Sequence, residues 1–358
     1  MWIRYGILAF LLAACTQTTA DDVTTTNPVP TTDASTTTAA SDPTPTTVAA
    51  ATTTAAMLAP ESLEIEVFAV PAGSRPHDVA PAIDGGVWYT AQGSGDLGWL
   101  DPRTGETMHI DLGQGSRPHG VIVDDAGTPW ITDSGLNAIV RVDPNSHEVD
   151  VFPLPPDRAG ANLNTASFDG TGRLWFTGQA GIYGNFYPAT GTMEVFDAPG
   201  GRGPYGITTT PDGLVFYASL AGSYVGAIGG DGSVDVLSPP SNNQGARRVW
   251  SDSSGAVWVS EWNTGNISRY QPDSGEWTTW PLPDDSAAAY AVFVDDADIV
   301  WVSDFASNSI LRFDPISERF IVLELPHEPG EVRQIHGRYG EVWGAESAAD
   351  HLILIRTR

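Results

Sequence analysis

The stretch RPHGVIVDDAGTPWITDSGLNAIVRVDPNSHEVDVFPLP, Arg117 to Pro155, decides the fold. It contains four short runs in which Val, Ile, Trp and Phe alternate with polar residues: His119–Val123, Pro129–Thr132, Ala138–Val142 and Glu148–Phe152. That alternation, bounded by turn residues, is the pattern of strands. Copies of the stretch recur from Ser74 to the C-terminus and align on an aromatic that opens each second run: Trp88, Trp130, Trp175, Phe216, Trp258, Trp301 and Trp343. Asp-Gly steps such as Asp84-Gly85, Asp169-Gly170 and Asp212-Gly213 separate the first two runs of a copy, and Asp101-Pro102, Asp143-Pro144 and Asp314-Pro315 stand between the last two. Gly supplies positive φ, Pro presets φ, and Asp bonds its own backbone, so each step is a turn for a stated reason. Seven copies of about 42 residues, each of four short strands, predict an all-β, seven-bladed β-propeller.

A ring of blades must pair its open edge. The run Leu63–Pro71 resembles a fourth strand yet precedes the first copy, while the last copy stops at His351–Ile355 without one. The N-terminal run is therefore expected to complete the last blade.

The residues before the ring differ in kind. Arg4, the apolar run Ile7–Leu12 and the small-residue ending Leu12-Ala13-Ala14-Cys15 read as a secretory signal. The Leu-Ala-Ala-Cys ending resembles the bacterial lipobox, which implies cleavage before Cys15 and lipid attachment there. Residues 1–14 are thus assigned as a signal peptide. Residues 15–60, rich in Thr, Ala and Pro, form a lipidated disordered tether, because they hold too few large apolar side chains to build a core. Residues 61–358 form the propeller. The expected location is the cell surface, held to the membrane only through the lipid on Cys15. Cys15 is the single cysteine, so no intramolecular disulfide is available.

The formal net charge is −27, and all 17 basic residues are arginine. Such a charge repels phosphate and excludes nucleic acid as a partner. The chain is expected to be a monomer that takes a small molecule, a peptide or a glycan at the channel mouth.

Function has to be read from the site rather than from the fold. Eleven residues before the first six anchor aromatics stand His77, His119, Asn164, Tyr205, Arg247 and Tyr290; the seventh copy is one residue shorter and places Arg333 there. None is aliphatic. As the innermost strands of a propeller line its channel, these positions predict a hydrogen-bonding ring around one opening. A second series, three residues after each anchor, contains Asp133, Glu261, Asp304 and Glu346. Together the two series suit a polar ligand with a divalent metal. His109, His147, His327 and His351 fall outside both and are assigned to surface or packing.

The phrases PHGVIVDDAGTPWITDSGLNAIVRVDP, GPYGITTTPDG (Gly203–Gly213) and VWVSEWNTGNISRY (Val257–Tyr270) resemble the streptogramin B lyase (virginiamycin B lyase) family. The resemblance runs through all seven blades. It implies a propeller that opens a cyclic depsipeptide at its ester bond by elimination, with a divalent metal, usually magnesium. The family's Glu-Pro-His falls on Glu331-Val332-Arg333, which implies Glu331 as a metal ligand and puts arginine where the base stands. The later metal-side glutamate falls on Glu346. The sixth-blade histidine falls on Tyr290 and the first-blade tyrosine on His77; these and Arg333, with His119 added from the mouth ring, make up the candidate catalytic set. Elimination needs a base, and an arginine stays protonated, so Arg333 can hold an anion but cannot take a proton. His77 or His119 would have to serve, with His336 the only histidine close to the vacated position. Three readings stay open: a metal-assisted lyase of a cyclic ester, a lactonase-like hydrolase, and a binding propeller without catalysis.

Overall fold

The computed structural model describes residues 63–357, which belong to one compact unit. The signal, Cys15 and the tether lie outside the described residues. Seven four-stranded antiparallel sheets form the ring. Six run in simple sequence order from the innermost strand outward. The seventh is built from Val332–Arg338, Glu341–Glu346 and His351–Arg356, with Ile65–Ala69 as its outer strand. Ile65 pairs with Ile355 and Ala69 with His351, so the run before the first copy closes the last blade as expected. The four runs read in the clearest copy appear as Pro118–Val123, Pro129–Asp133, Ala138–Val142 and Val149–Pro153, each within a residue of expectation. Among the described residues the only helix is the turn Pro156–Arg158, and no helix is long and apolar enough to cross a membrane.

The anchor aromatics pack between blades. Trp258, from blade 5, joins Val292, Val300 and Phe313 of blade 6, and Trp343 of blade 7 joins Val79 and Tyr89 of blade 1. A buried indole N–H needs an acceptor, and the turn aspartate six residues earlier supplies it. Trp130 donates to Asp124, Trp175 to Asp169, Trp258 to Asp252 and Trp301 to Asp295, all at 2.9–3.0 Å. The same carboxylates accept backbone N–H groups of their own turn, as Asp124 does from Ala126 and Thr128. One side chain thus shapes the turn and fixes the packing aromatic.

Every innermost strand is broken by a β-bulge at the mouth residue. The register slips between Pro76 and Val79, Pro118 and Gly120, Leu163 and Ala166, Pro204 and Ile207, Ala246 and Val249, Ala289 and Val292, and Val332 and Ile335. A bulge leaves an N–H outside the ladder and re-aims neighbouring side chains. A hydroxyl two residues after the anchor aromatic accepts that N–H: Asp78 N–H donates to Thr90 Oγ1 at 2.9 Å, Gly120 to Thr132 at 3.0 Å, Arg248 to Ser260 at 3.0 Å and Ala291 to Ser303 at 2.9 Å. The hydroxyl's own proton crosses to the next blade. Thr90 donates to the His119 carbonyl, Thr132 to that of Asn164, Thr177 to that of Tyr205 and Ser260 to that of Tyr290. Gly120 fills the bulge in blade 2 because a Cβ there would stand 2.7 Å from the Asn164 carbonyl oxygen and 2.8 Å from Thr132 Oγ1.

Replacing Thr132 by Val keeps the shape but strands a buried N–H and a buried carbonyl. Thr132→Val is expected to cost about 1–3 kcal/mol in urea unfolding, and Thr132→Ser to restore most of it; equal stability of Val and Ser variants would remove the bridge from the account.

Candidate functional site

The bulges let two consecutive residues of a strand turn toward the axis. The first of each pair forms the expected mouth ring, and in blades 1, 3 and 5 the second, Asp78, Thr165 and Arg248, joins a layer behind it. A cavity of about 500 Å³ opens at the mouth, lined by His77, His119, Tyr205, Arg247 and Arg333 with Arg75 and Arg117 at the rim. Five of the seven predicted positions therefore share one cavity. Asn164 and Tyr290 stand behind it, both fully buried.

The second layer, which strand alternation does not predict, organises the first. Arg248 of blade 5 reaches Asp78 of blade 1 at 2.9 Å and Thr165 of blade 3 at 2.6 Å. The ion pair is almost fully buried on both sides. Asp78 in turn meets His77 Nδ1 at 2.7 Å. A carboxylate there makes Nδ1 the protonated nitrogen and leaves Nε2 with its lone pair. Along the other arm, Thr165 donates to Asn164 Oδ1 at 2.8 Å, and Asn164 Nδ2 lies 3.2 Å from His119 Nε2. The amide N–H donates, so His119 carries its proton on Nδ1, which is buried without a protein partner. The two imidazoles lie 4.0 Å apart. Of the pair, His77 Nε2 is the nitrogen left without a hydrogen bond beside the cavity, while the His119 Nδ1–H is enclosed.

The aromatic and cationic half faces them. The Arg247 guanidinium lies 3.4 Å from the centre of the Tyr290 ring and 4.3 Å from that of Trp262. These are cation–π contacts that hold the charge in place without neutralising it. Tyr290 stacks on Phe305, and its hydroxyl bonds that of Tyr205. Tyr290 thus supports the site from behind, outside the cavity lining.

The electrostatics follow from this arrangement. Burial, and then the Arg248, Arg333 and Arg247 charges, hold the His77 imidazole well below its ordinary value. Burial and the neighbouring His77 do the same to His119, against a smaller opposing pull from Asp78. Both are neutral at neutral pH. Burial resists ionisation of Tyr205, but Arg247 and Arg248, with hydrogen bonds from Tyr290 and Arg247, bring its phenol below the ordinary value. Burial and the adjacent Tyr205 push Tyr290 the other way, to about 12. Tyr205 is the more acidic of the pair.

Several expectations need correction. The second-series carboxylates do not face the axis. Asp133 accepts from Ser116, Arg117, Gly135 and Leu136; Asp304 from Ala288, Ala306 and Ser307; Glu261 from Thr264, Asn266 and Ser268. They tie down loops. Glu346 is turned toward His327, 2.7 Å away, and His351 stacks on His327, so both histidines pack, as assigned, but around a buried carboxylate. His336 packs against Trp250 and Phe293, where burial pushes it down to about 4, and it takes no part in the mouth.

The donors at the mouth do not fit magnesium. A hard dication asks for several oxygen ligands. Glu331 is ion-paired with Arg333 at 2.5 Å, Glu346 faces elsewhere, and four guanidiniums share the cavity. The field there suits an anion.

A seven-bladed propeller with a cationic, histidine-bearing mouth is the class that fold and site define. The family model described as the virginiamycin B lyase family matches residues 114–357, and the chain belongs to that family. A streptogramin B lyase structure superposes with a TM-score of 0.76 at 22% identity, over 82% of this chain and 97% of that one. Virginiamycin B lyase from Staphylococcus aureus gives 0.76 at 17% identity, over 83% of this chain and all of that one. YCF48 bound to D1 peptide gives 0.68 at 14% identity, over 85% of this chain and all of that one. At these identities the structures share the fold. No curated protein matches the chain.

The lowered histidine values set a pH dependence. Protons that the unfolded chain takes up near pH 6.5 are resisted by the folded one, so this stability is complete above that pH. It falls as pH drops toward the folded values. Unfolding free energy is expected to decline by about 1.4 kcal/mol per pH unit for each such histidine below pH ~6, and His77→Gln to flatten the slope. An unchanged slope in that variant would show that His77 titrates freely.

Proposed function

We propose that the mouth binds a small organic anion or ester and cleaves a carbon–oxygen bond in it by elimination, with arginines in the place where the family resemblance puts a metal. The observation that carries this reading is one cavity holding four arginines and a neutral, carboxylate-positioned histidine in a chain of net charge −27. His77 Nε2 takes the acidic proton from the carbon next to the carbonyl. The electron pair forms a C=C bond as the adjacent C–O bond breaks. Negative charge on the carbonyl oxygen in the transition state is met by Arg247 or Arg333. A leaving carboxylate needs no proton and stays with a rim guanidinium, Arg75 or Arg117; a leaving alkoxide takes the proton of Tyr205. A base with a lowered value remains unprotonated at neutral pH, though it is a weaker base for that reason.

Binding without turnover is the second reading. Its support is that same weakening of both mouth histidines by burial and arginine charge.

The test is a panel of cyclic esters, lactones and depsipeptides, scored both for binding and for the new C=C absorbance. His77→Ala is expected to lower turnover about 10²–10⁴-fold while changing affinity little, and Arg247→Met to weaken binding of carboxylate-bearing ligands at least ~10-fold. Added magnesium should leave the rate unchanged. A rate that rises with magnesium and is lost in Glu331→Gln would overturn the arginine mechanism, and binding with no turnover anywhere in the panel would select the second reading.

A further inference from the structure

A second cluster lies off the mouth, at the seam between the last two blades. His327 sits in the connection from the outer strand of blade 6, Arg319–Glu324, to blade 7. Glu346 ends the second strand of blade 7, and His351, its direct cross-strand partner, begins the third. One ligand atom from each residue lies within 4.8 Å of the other two.

Glu346 is unlike the other three carboxylates of its series. Asp133, Glu261 and Asp304 are each satisfied by at least three hydroxyl, amide or backbone donors from their own loops. Glu346 is fully buried, and the donors to it are the Nδ1 of His327 at 2.7 Å and the backbone N–H of the same residue at 3.4 Å. The His351 ring stacks on that of His327 with centroids 4.1 Å apart. A buried carboxylate calls for positive charge, and here it is offered two imidazoles side by side.

The rings are also held for the task. His351 Nδ1–H donates to the Ala349 carbonyl at 2.6 Å, which leaves Nε2 with a free lone pair. Asn308 fixes the connecting loop from both sides, donating to the His327 carbonyl at 2.8 Å and accepting from Gly330 N–H at 2.8 Å. Gly330 lets that loop close over the carboxylate, since a Cβ there would stand 2.9 Å from Glu346 Oε1. The His327 side chain is about one-third exposed (36%), which gives an ion a way in.

We propose that His327, Glu346 and His351 bind a divalent transition-metal ion of the zinc class. Two imidazoles and a carboxylate suit zinc, cobalt or nickel, whereas magnesium takes oxygen donors and keeps its waters. The family resemblance assigns Glu346 to magnesium together with Glu331; the side chains that face it here are nitrogen ligands, so this is a different ion in a different donor set. Three protein ligands leave a coordination position to water on the exposed His327 side. The ion would tie the exit of blade 6 to the blade in which the ring closes, because His351 pairs with Ala69 of the closing strand. The site makes no use of the mouth chemistry proposed above.

The experiment is titration of Zn²⁺ and Co²⁺ into the purified, metal-stripped full chain. One equivalent is expected to bind, Co²⁺ with visible d–d bands. His327→Ala and His351→Ala should each weaken binding at least ~10-fold, while His77→Ala and Glu331→Gln leave it unchanged. Should a seam variant fail to fold, the wild-type chain gives the answer by diethylpyrocarbonate labelling. Zn²⁺ should protect His327 and His351 and leave the exposed His147 reactive. Absence of stoichiometric binding, binding that survives His351→Ala, binding lost in His77→Ala, or equal protection of His147 would each overturn the proposal.

Discussion

The structure turns on one hydroxyl group, repeated around the ring. In each blade that carries it, a threonine or serine two residues after the anchor aromatic accepts the N–H that the bulge expels from the ladder. In four blades its proton goes to the carbonyl of the next blade's mouth residue. The group therefore stabilises a local break in a strand and joins two blades at the level where the functional side chains stand. It is missing from blade 4, where Ala218 stands, and from blade 7, where other bonds take over. Blade 7 has Ala345 at that position, and its seam to blade 1 is held by Gln334 accepting from Val79 N–H at 2.9 Å and by Ser347 donating to the Pro76 carbonyl at 2.6 Å. A bulge held this firmly lets two adjacent residues share the channel, which a regular strand forbids.

That doubling explains the character of the mouth. Asp78 and Arg248 come from the layer behind the ring, and without them His77 would have no carboxylate to set its tautomer. The arginine charges balance poorly within the cavity, since Arg247 rests on aromatic faces and only Arg333 has a carboxylate beside it. An acidic protein has gathered positive charge at one opening. Ligand selection by such a site works over distance as well as by contact, because a chain of net charge −27 repels anions as a whole. Relative to the pattern that the family resemblance implies, the proton-handling positions have changed type, and in the proposed reading guanidinium charge rather than a metal meets a developing anion.

The repeat was legible because its markers are chemically forced: a large aromatic at each blade interface and turn residues at fixed offsets. Ring closure was legible because a strand without a partner preceded a copy without a fourth strand. The mouth ring could be read from register alone. The second layer could not, because alternation assigns Asp78 and Arg248 to the face opposite His77 and Arg247, and only the bulge reverses that. A signal was present in the hydroxyls of Thr90, Thr132, Thr177, Ser260 and Ser303, which share one repeat position and mark where the ladder breaks. The second-series carboxylates misled for the converse reason: residue type fits a metal as well as a loop anchor, and only their donors distinguish the two. His327 and His351 belong to no repeat position in common, so their meeting at Glu346 is a product of the seam.

The Arg248 side chain, lying from blade 5 to blades 3 and 1, has a consequence for traffic. It reaches across the axis beneath the mouth, so a ligand seated there meets this ion pair as a floor. A ligand resting on that floor would leave by the way it came. Two fragments of a cleaved ligand would compete for that exit with each other and with the next arrival, and the rim arginines that draw an anion in would also delay its departure.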